Sequence, residues 1–587
     1  MTVQPVTPLV EAVETAMVDA LRRALPEAGR TEPLVRRSDR ADFQANGALA
    51  LAKQHGRNPR ELGAAVAAAI EAPGLISSAE VSGPGFINLD LTSEAIWAQV
   101  AARTDSDLLG LGLPLAGKRI IVDYSGPNVA KEMHVGHLRT TIIGDALARL
   151  AEALGATMIR QNHLGDWGTQ FGMLIQYLNE HPEAEWHHAD DADPTANVAA
   201  LDRLYKQARN VFDADPDFAD RARARVVALQ SGDEDTRKVW RDLVEVSAEA
   251  FDAMYERLGV SLTAADLAGE STYNHLLDNV VEELVAAGIA VESEGALCVF
   301  FDDITGPDGN PVPLLLRKAD GGYGYAATDL AAIRYRIRDL KADQILYVVD
   351  ARQALHFKQV FATARRAGWL TDEVEAVHVP FGTVLGPDGK PFKTRSGGTV
   401  RLMSLLDEAI AKASEVIGEK NSDADPADLA ALAAATGIGA VKYADLSNNR
   451  IKDYAFDTDR MVSLTGDTGV YLQYAHTRLA SILRMAGKTN GTVDTAAPMS
   501  REERALALHL DAYGTNLAES MTEREPHRLC GYLYMLARTF TRFYEANPVL
   551  KAETDEIRKN RLGLVRLTRD TLAHGLNLLG IAAPERM

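Results

Sequence analysis

The sequence predicts an α/β protein in three parts, a βα core, a small α/β domain before it and an all-α bundle after it. Three observations predict this. The first is a stack of signals in the middle of the chain. Arg119-Ile-Ile-Val-Asp-Tyr124 is an apolar, β-branched run, residues 128–140 carry a turn, and Ile142, Ile143, Ala146, Leu147 and Leu150 recur at helical spacing. A strand, a tight turn and a helix start within about 35 residues form the layout of a Rossmann-like βα unit. The second is that strand signals fade after residue 427, apart from short ambiguous runs. Amphipathic helical patterns cover 427–447, 470–486, 501–521, 526–545 and 556–579. The third is a separate mixed pattern at the start. Helical spacing covers 8–24, a polar turn-rich stretch covers 27–47, and Val81–Leu91 reads as a loop followed by an alternating strand.

Between these parts, Leu111-Gly-Leu-Pro-Leu-Ala-Gly117 reads as a linker. Ala156–Asn162 reads as a second core strand and a helix starts near Thr169. Residues 179–193 are acidic and rich in breakers, a solvated loop. His187-His188 within it lacks further ligands at metal spacing, so no bound metal is expected. Residues 197–260 are helical. Strands follow near 297–301 and 345–350, then a helix at 354–367 and a strand around 376–384. The expected division is 1–112, then 113–400 with a mostly helical insertion at about 180–290, a junction at 401–450, and the bundle at 451–587.

Bulk properties narrow the possibilities. Two cysteines far apart, Cys298 and Cys530, exclude a disulfide framework and a structural zinc site. No apolar run approaches the ~20 residues of a membrane span, and Met1-Thr-Val-Gln-Pro5 lacks the features of a signal peptide, so a cytoplasmic protein is expected. The net charge is −20. Residues 441–587 hold 20 basic and 18 acidic side chains, a net +2, which leaves −22 for the rest. The C-terminal quarter is thus the less acidic end, as suits a nucleic-acid-facing part, although composition alone favours a small-molecule enzyme.

The turn itself carries the chemistry. It reads Ser125-Gly-Pro-Asn-Val-Ala-Lys-Glu-Met-His134-Val-Gly136-His137-Leu-Arg139. Gly136 lets backbone approach a ligand, the free N–H groups of a helix start make an anion site, and the two histidines can both address one phosphate. His134-Val-Gly-His137 resembles the signature of class I aminoacyl-tRNA synthetases, and the longer string resembles the arginyl-tRNA synthetases. The resemblance continues through Asn162–Gly168, Gly269–Tyr273, Tyr325–Asp329, Tyr347–Asp350 with Gln353, Phe392–Gly397, Tyr443–Ser447 and Pro584–Met587.

The resemblance implies a catalytic Rossmann-like domain that forms an aminoacyl-adenylate from ATP, supplied with Mg2+, and passes the acyl group to tRNA. His134 and His137, with Gly136, would stabilise the phosphates. Class I enzymes also carry a Lys-Met-Ser-Lys loop. Here its counterpart, Lys390-Pro-Phe-Lys393-Thr-Arg395, has the second signature lysine replaced by Arg395 or lost, and Lys131 stands where arginyl enzymes place a compensating lysine. Lys131, Lys390 and Lys393 are expected on the phosphates; the alternative for Lys393 is an exposed turn. The resemblance puts Glu270, Tyr325 and Asp329 at the arginine guanidinium, and Asp123, Ser125, Asn128 and Gln353 at its other end. Asp329 and Glu270 also read as helix caps. For tRNA it points to Phe43, Gln44 and Asn46 against the elbow, with a core role as the alternative for Phe43. In the bundle, Tyr471, Gln473, Tyr474, His476, Arg478 and Arg484 interleave aromatics with cations, a pattern that suits unstacked anticodon bases. A mixed helix with its aromatics inward is the alternative. The implied partners are tRNA(Arg), L-arginine and ATP, with no membrane and a monomeric chain. Two rivals are a non-catalytic tRNA-binding protein and a ligase of the same fold with another substrate.

Overall fold

The computed structural model describes the chain apart from residues 1–4, 30, 185, 187–193, 307–308, 310, 320, 387, 393–399, 419–424 and 488–492. His187-His188, Lys393 and Arg395 therefore lie outside the described residues. Two compact units form, one of Met1–Pro114, Leu464–Asn577 and Ala582–Met587, the other of Leu115–Ser463 and Leu578–Ile581.

The second unit is built on a four-stranded parallel sheet in the order Glu375–His378, Gln344–Tyr347, Arg119–Asp123, Thr157–Gln161. Arg119–Asp123 is an inner strand covered on both faces, with Ile120, Ile121 and Val122 at most 2% exposed. Such a strand reads as a continuous apolar run, not as an alternation. Chain order reverses between this strand and Gln344–Tyr347, and open α/β sheets bind ligands at the strand C-termini beside that reversal. The helix Val135–Ala153 follows the first strand, and it approaches closely because Gly144 faces Tyr124: a Cβ there would lie 2.3 Å from the ring.

Helices Pro194–Ala214, Pro216–Ser231 and Glu234–Leu258 form the expected insertion. Met173, Ala208, Phe218 and Ala222 make a small core between the first two and helix Thr169–Glu180. The fully buried Phe218 contributes about 1.5–3 kcal/mol to it. The strand expected at 297–301 is Ala296–Val299, and it belongs to a separate antiparallel sheet with Ala290–Ser293 and Leu314–Arg317. The strand expected at 376–384 is two pieces. Pro380 has no N–H to donate, so Glu375–His378 ends before it, and Val384–Leu385 pairs instead with Tyr454–Ala455.

Among the described residues, the helix Pro426–Leu446 has the length and apolar composition that a membrane crossing would need. Its composition is that of a core helix. Its buried Lys442 donates to the carbonyls of Gly259 and Gly580 at 3.1 and 2.7 Å, and its buried Asp445 pairs with Arg139 at 3.3 Å.

In the first unit an antiparallel sheet runs Val35–Arg37, Phe43–Ala45, Phe86–Leu91, Ile76–Ser82. The first two strands fall inside the stretch read as turns, because three residues are too few to show an alternation. The C-terminal helices follow the predicted spans, except that 501–521 breaks at Ala512 into Arg501–Asp511 and Tyr513–Thr522. The two ends of the chain, read from sequence as separate bodies, form this one unit. Arg103 pairs with Asp511 at 2.9 Å, both side chains almost wholly buried, and Trp97 Nε1 donates to the Ala497 carbonyl at 3.1 Å. Removing one partner of such a buried pair costs about 3–5 kcal/mol.

Candidate active site and nucleic-acid face

The histidine pair is held by the helix it starts. His134 is the N-cap of Val135–Ala153. The Gly136 N–H donates to His134 Nδ1 at 3.0 Å, and the His134 N–H donates to His137 Nδ1 at 3.1 Å. A ring nitrogen that accepts carries no proton, so each neutral ring is protonated at Nε2. With ring centroids 4.0 Å apart, two Nε2–H donors stand side by side at a helix N-terminus. Gly136 has a more local task than ligand approach: a Cβ there would lie 2.7 Å from the His134 ring, so glycine is what seats that ring. Burial, and then His134, push His137 down to about 3; burial, and then Lys131, lower His134. At neutral pH the pair supplies neutral N–H donors, and positive charge must come from lysine.

Lys131 lies two residues before Met133, with its Nζ 4.3 Å from the centre of the Tyr205 ring. Lys390 is exposed in the turn closed by the Leu385–Pro391 bridge. The flanks of residues 393–399 are tied down. Phe392 packs against Phe456 at 5.8 Å, the Val400 carbonyl accepts from the Val135 N–H at 3.0 Å, and Arg401 pairs with Glu132 at 2.9 Å. Residues 400 and 401 are thereby anchored to the start of the first signature.

A cavity of about 580 Å³ is lined by residues including Trp167, Thr169, Glu270, Lys318, Tyr325 and Thr328. Glu270 opens the 3-10 helix Glu270–Leu276. Asp166 fixes that segment by accepting from the Ser271 N–H at 2.9 Å and Oγ at 2.5 Å. Burial, then the charges of Asp166 and Asp329, push Glu270 up to about 8. Among the described residues none pairs with its carboxylate. Asp329 is no cap, since its helix starts four residues earlier at Tyr325; its carboxylate meets His356 Nε2 at 2.6 Å. Tyr325 is 77% exposed as a residue, and desolvation of its hydroxyl, then the nearby Glu270 charge, raise its pKa. The guanidinium candidates therefore converge.

The candidates for the other end of the substrate divide. Asn128 is exposed on the loop after Arg119–Asp123, and Gln353 is exposed at the end of the 3-10 helix Ala351–Gln353. Asp123 is held at 2.7 Å by the fully buried Arg336, which also donates to Gln161 Oε1. Ser125 is 4% exposed, and its hydroxyl meets Tyr255 at 2.7 Å and Thr141 at 3.0 Å, so it braces the loop from within.

In the first unit, Phe43 is 3% exposed within the sheet, with Arg37 over its ring, so it is core and offers no stacking platform. Gln44 is buried and hydrogen-bonds Arg36 and Asn88, so its amide is also engaged. Asn46 stands at the N-cap position of the helix Gly47–Gln54 without a side-chain cap hydrogen bond, and is only partly exposed. What this edge does present is Arg36, Arg37 and Arg40. In helix Gly469–Ala486, Gln473 and His476 are buried and, with Arg484, hold the C-terminal tail through Ala582, Pro584 and Glu585. These three are structural. Tyr471, Tyr474 and Arg478 face outward beside the helix Pro526–Ala546. Tyr471 meets Tyr534 edge-on at 5.7 Å, and Arg478 lies 4.8 Å from the Tyr544 ring centre.

Sequence reading missed Asp166, Tyr205, Arg336 and His356. Asp166 and His356 had a signal: one lies inside the quoted block Asn162–Gly168, and the other is three residues past Gln353. Nothing in the sequence marks Arg336 off from Arg334 and Arg338.

Residues 114–458 match the family described as tRNA synthetases class I (R), catalytic domain. Residues 11–91 match the arginyl tRNA synthetase N terminal domain and 472–587 the DALR anticodon binding domain. The arginine–tRNA ligase of Frankia casuarinae is 62% identical over the whole of both chains. That of Streptomyces coelicolor is 53% identical over 99% of this chain and all of its own. Among solved structures, the arginyl-tRNA synthetase of Plasmodium falciparum superposes with a TM-score of 0.82 at 28% identity, covering 99% of this chain and 100% of that one. The Thermus thermophilus arginyl-tRNA synthetase gives 0.79 at 27%, with the same coverage. This chain belongs to the class I arginyl-tRNA synthetase family.

Proposed function

We propose that this chain activates L-arginine with MgATP and transfers the arginyl group to tRNA(Arg), releasing pyrophosphate and AMP. The observation that carries the reading is the convergence of Glu270 and Asp329 beside a cavity in the same unit as the paired Nε2–H donors. Burial, and then the charges of Asp166 and Asp329, push Glu270 up to about 8, and a cation held beside these carboxylates offsets that cost. The planar guanidinium pairs bidentately with carboxylate oxygens, which a lysine ammonium cannot match. Leaving such groups unpaired is a strong basis for rejecting lysine without editing.

In the first step a carboxylate oxygen of arginine attacks the α-phosphorus, and the bond to pyrophosphate breaks. Charge builds on the phosphoryl oxygens and the leaving group. His134 and His137 donate through Nε2–H, while Lys131, Lys390 and Lys393 neutralise. Mg2+ enters as part of the nucleotide substrate. Asn128 and Gln353, with Asp123 held rigid by Arg336, orient the amino-acid backbone. In the second step a hydroxyl of the terminal tRNA ribose attacks the arginyl carbonyl and AMP leaves. Tyr471, Tyr474 and Arg478 stack on anticodon bases. Asn46, with the arginines at 36, 37 and 40, meets the elbow. The working unit is one chain in the cytoplasm, because a single chain supplies both the arginine pocket and the phosphate donors; light scattering tests the monomer.

The activity is tested by pyrophosphate exchange with each amino acid, with and without tRNA. Exchange with arginine alone is expected. Exchange with another amino acid, or none with arginine under either condition, overturns the reading.

A further inference from the structure

The inserted helices touch the phosphate site. Lys131 follows Ala130, whose φ of +62° lies in the left-handed region that a residue with a Cβ rarely adopts. Something must hold it there. The Ala130 N–H donates at 2.9 Å to Ser247 Oγ, wholly buried on the inserted helix Glu234–Leu258. A second inserted helix, Pro194–Ala214, holds the side chain, with Lys131 Nζ 4.3 Å from the Tyr205 ring centre. One turn earlier on that helix Asp202 is close enough to be felt by His134 and Glu132, and Tyr205 is itself felt by Tyr325. The backbone at position 130 and the ammonium at position 131 are thus set by the insertion from two sides.

We propose that Tyr205 is a positioning residue: its ring face holds the Lys131 ammonium beside His134, so that the insertion takes part in amino-acid activation. This rests on the reading of Lys131 as a phosphate ligand. A long lysine side chain has many rotamers to lose on reaching a phosphate, and a cation resting on a ring has lost most of them beforehand. The ring matters and the hydroxyl does not.

The test is a double-mutant cycle on the full chain, read by pyrophosphate exchange with tRNA present. Tyr205→Leu should lower the activation kcat by roughly 3- to 30-fold, with the KM for arginine unchanged. Tyr205→Phe should stay within about 2-fold of the wild type, which also shows that the helix tolerates substitution there. In a Lys131→Ala background Tyr205→Leu should have no further effect. A loss of equal size in both backgrounds, or a Tyr205→Leu enzyme as fast as the parent, overturns the proposal while leaving the role of Lys131 standing. An unimpaired Lys131→Ala enzyme overturns both.

Discussion

The arginine pocket should release a proton when it fills. Glu270, pushed up to about 8, is mostly protonated at pH 7 in the empty pocket, and a guanidinium needs its ionised form. For one linked proton the apparent Kd varies as 1 + 10^(pKa−pH), so arginine should bind about 50-fold more tightly at pH 8 than at pH 6, levelling off above. Near pH 7 binding should release about 0.9 proton, measurable by titration calorimetry in buffers of different ionisation enthalpy. Glu270→Gln imitates the protonated acid. It should match the wild type near pH 6, fall behind it as pH rises, and lose the proton release. The stability sign is opposite. The folded chain holds a proton that the unfolded chain has lost between the ordinary carboxyl pKa and about 8, so ionised Glu270 costs stability increasingly across that window. Glu270→Gln should therefore raise the melting temperature at pH 8 and leave it unmoved below pH 4. A wild-type Kd that is flat from pH 6 to 8, with no proton released, refutes the reasoning.

Replacing His134 or His137 by Ala should lower the activation rate by ~10²–10³ with little change in arginine affinity, since each removes one N–H donor to the developing charge. Because burial shifts both pKa values down, histidine protonation should remove less than half of the wild-type activation rate at pH 6.5, and a half-maximal rate there would contradict the lowered values. Asp329→Asn should raise the KM for arginine about 10- to 100-fold by removing a charged partner, with a melting temperature nearly unchanged because Asp329 caps no helix. Tyr474→Ala with Arg478→Ala, both on the exposed face, should raise the KM for tRNA and spare arginine and ATP; a folded double variant that still discriminates against anticodon-altered tRNA as the parent does would return recognition to the N-terminal edge.

What the sequence made legible was local. The strand–turn–helix at 119–153, the helix start at Thr169 and the helices after 426 follow from periodicity and caps, which neighbouring residues determine. What stayed hidden were choices of partner made across the fold. Phe43 taken alone reads as core sooner than as a base platform, the resemblance points the other way, and the sheet beneath Arg37 decides for core. Gln473, His476 and Arg484 share a pattern with Tyr474 and Arg478, yet they serve a tail about a hundred residues later. Asp329 read as a cap because the helix start at Tyr325 has no capping side chain to announce it. Arg336 and Tyr205 carry no motif, and their importance comes from Asp123 and Lys131 opposite them.

The central claim is that this chain attaches arginine to tRNA. It is tested most directly by charging a mixed tRNA pool with each of the twenty labelled amino acids in the presence of MgATP, then identifying the charged species. The account predicts acid-precipitable label with arginine alone, on tRNA with arginine anticodons, and none in the His134→Ala, Lys131→Ala double variant. Label from any other amino acid, or none from arginine, contradicts it.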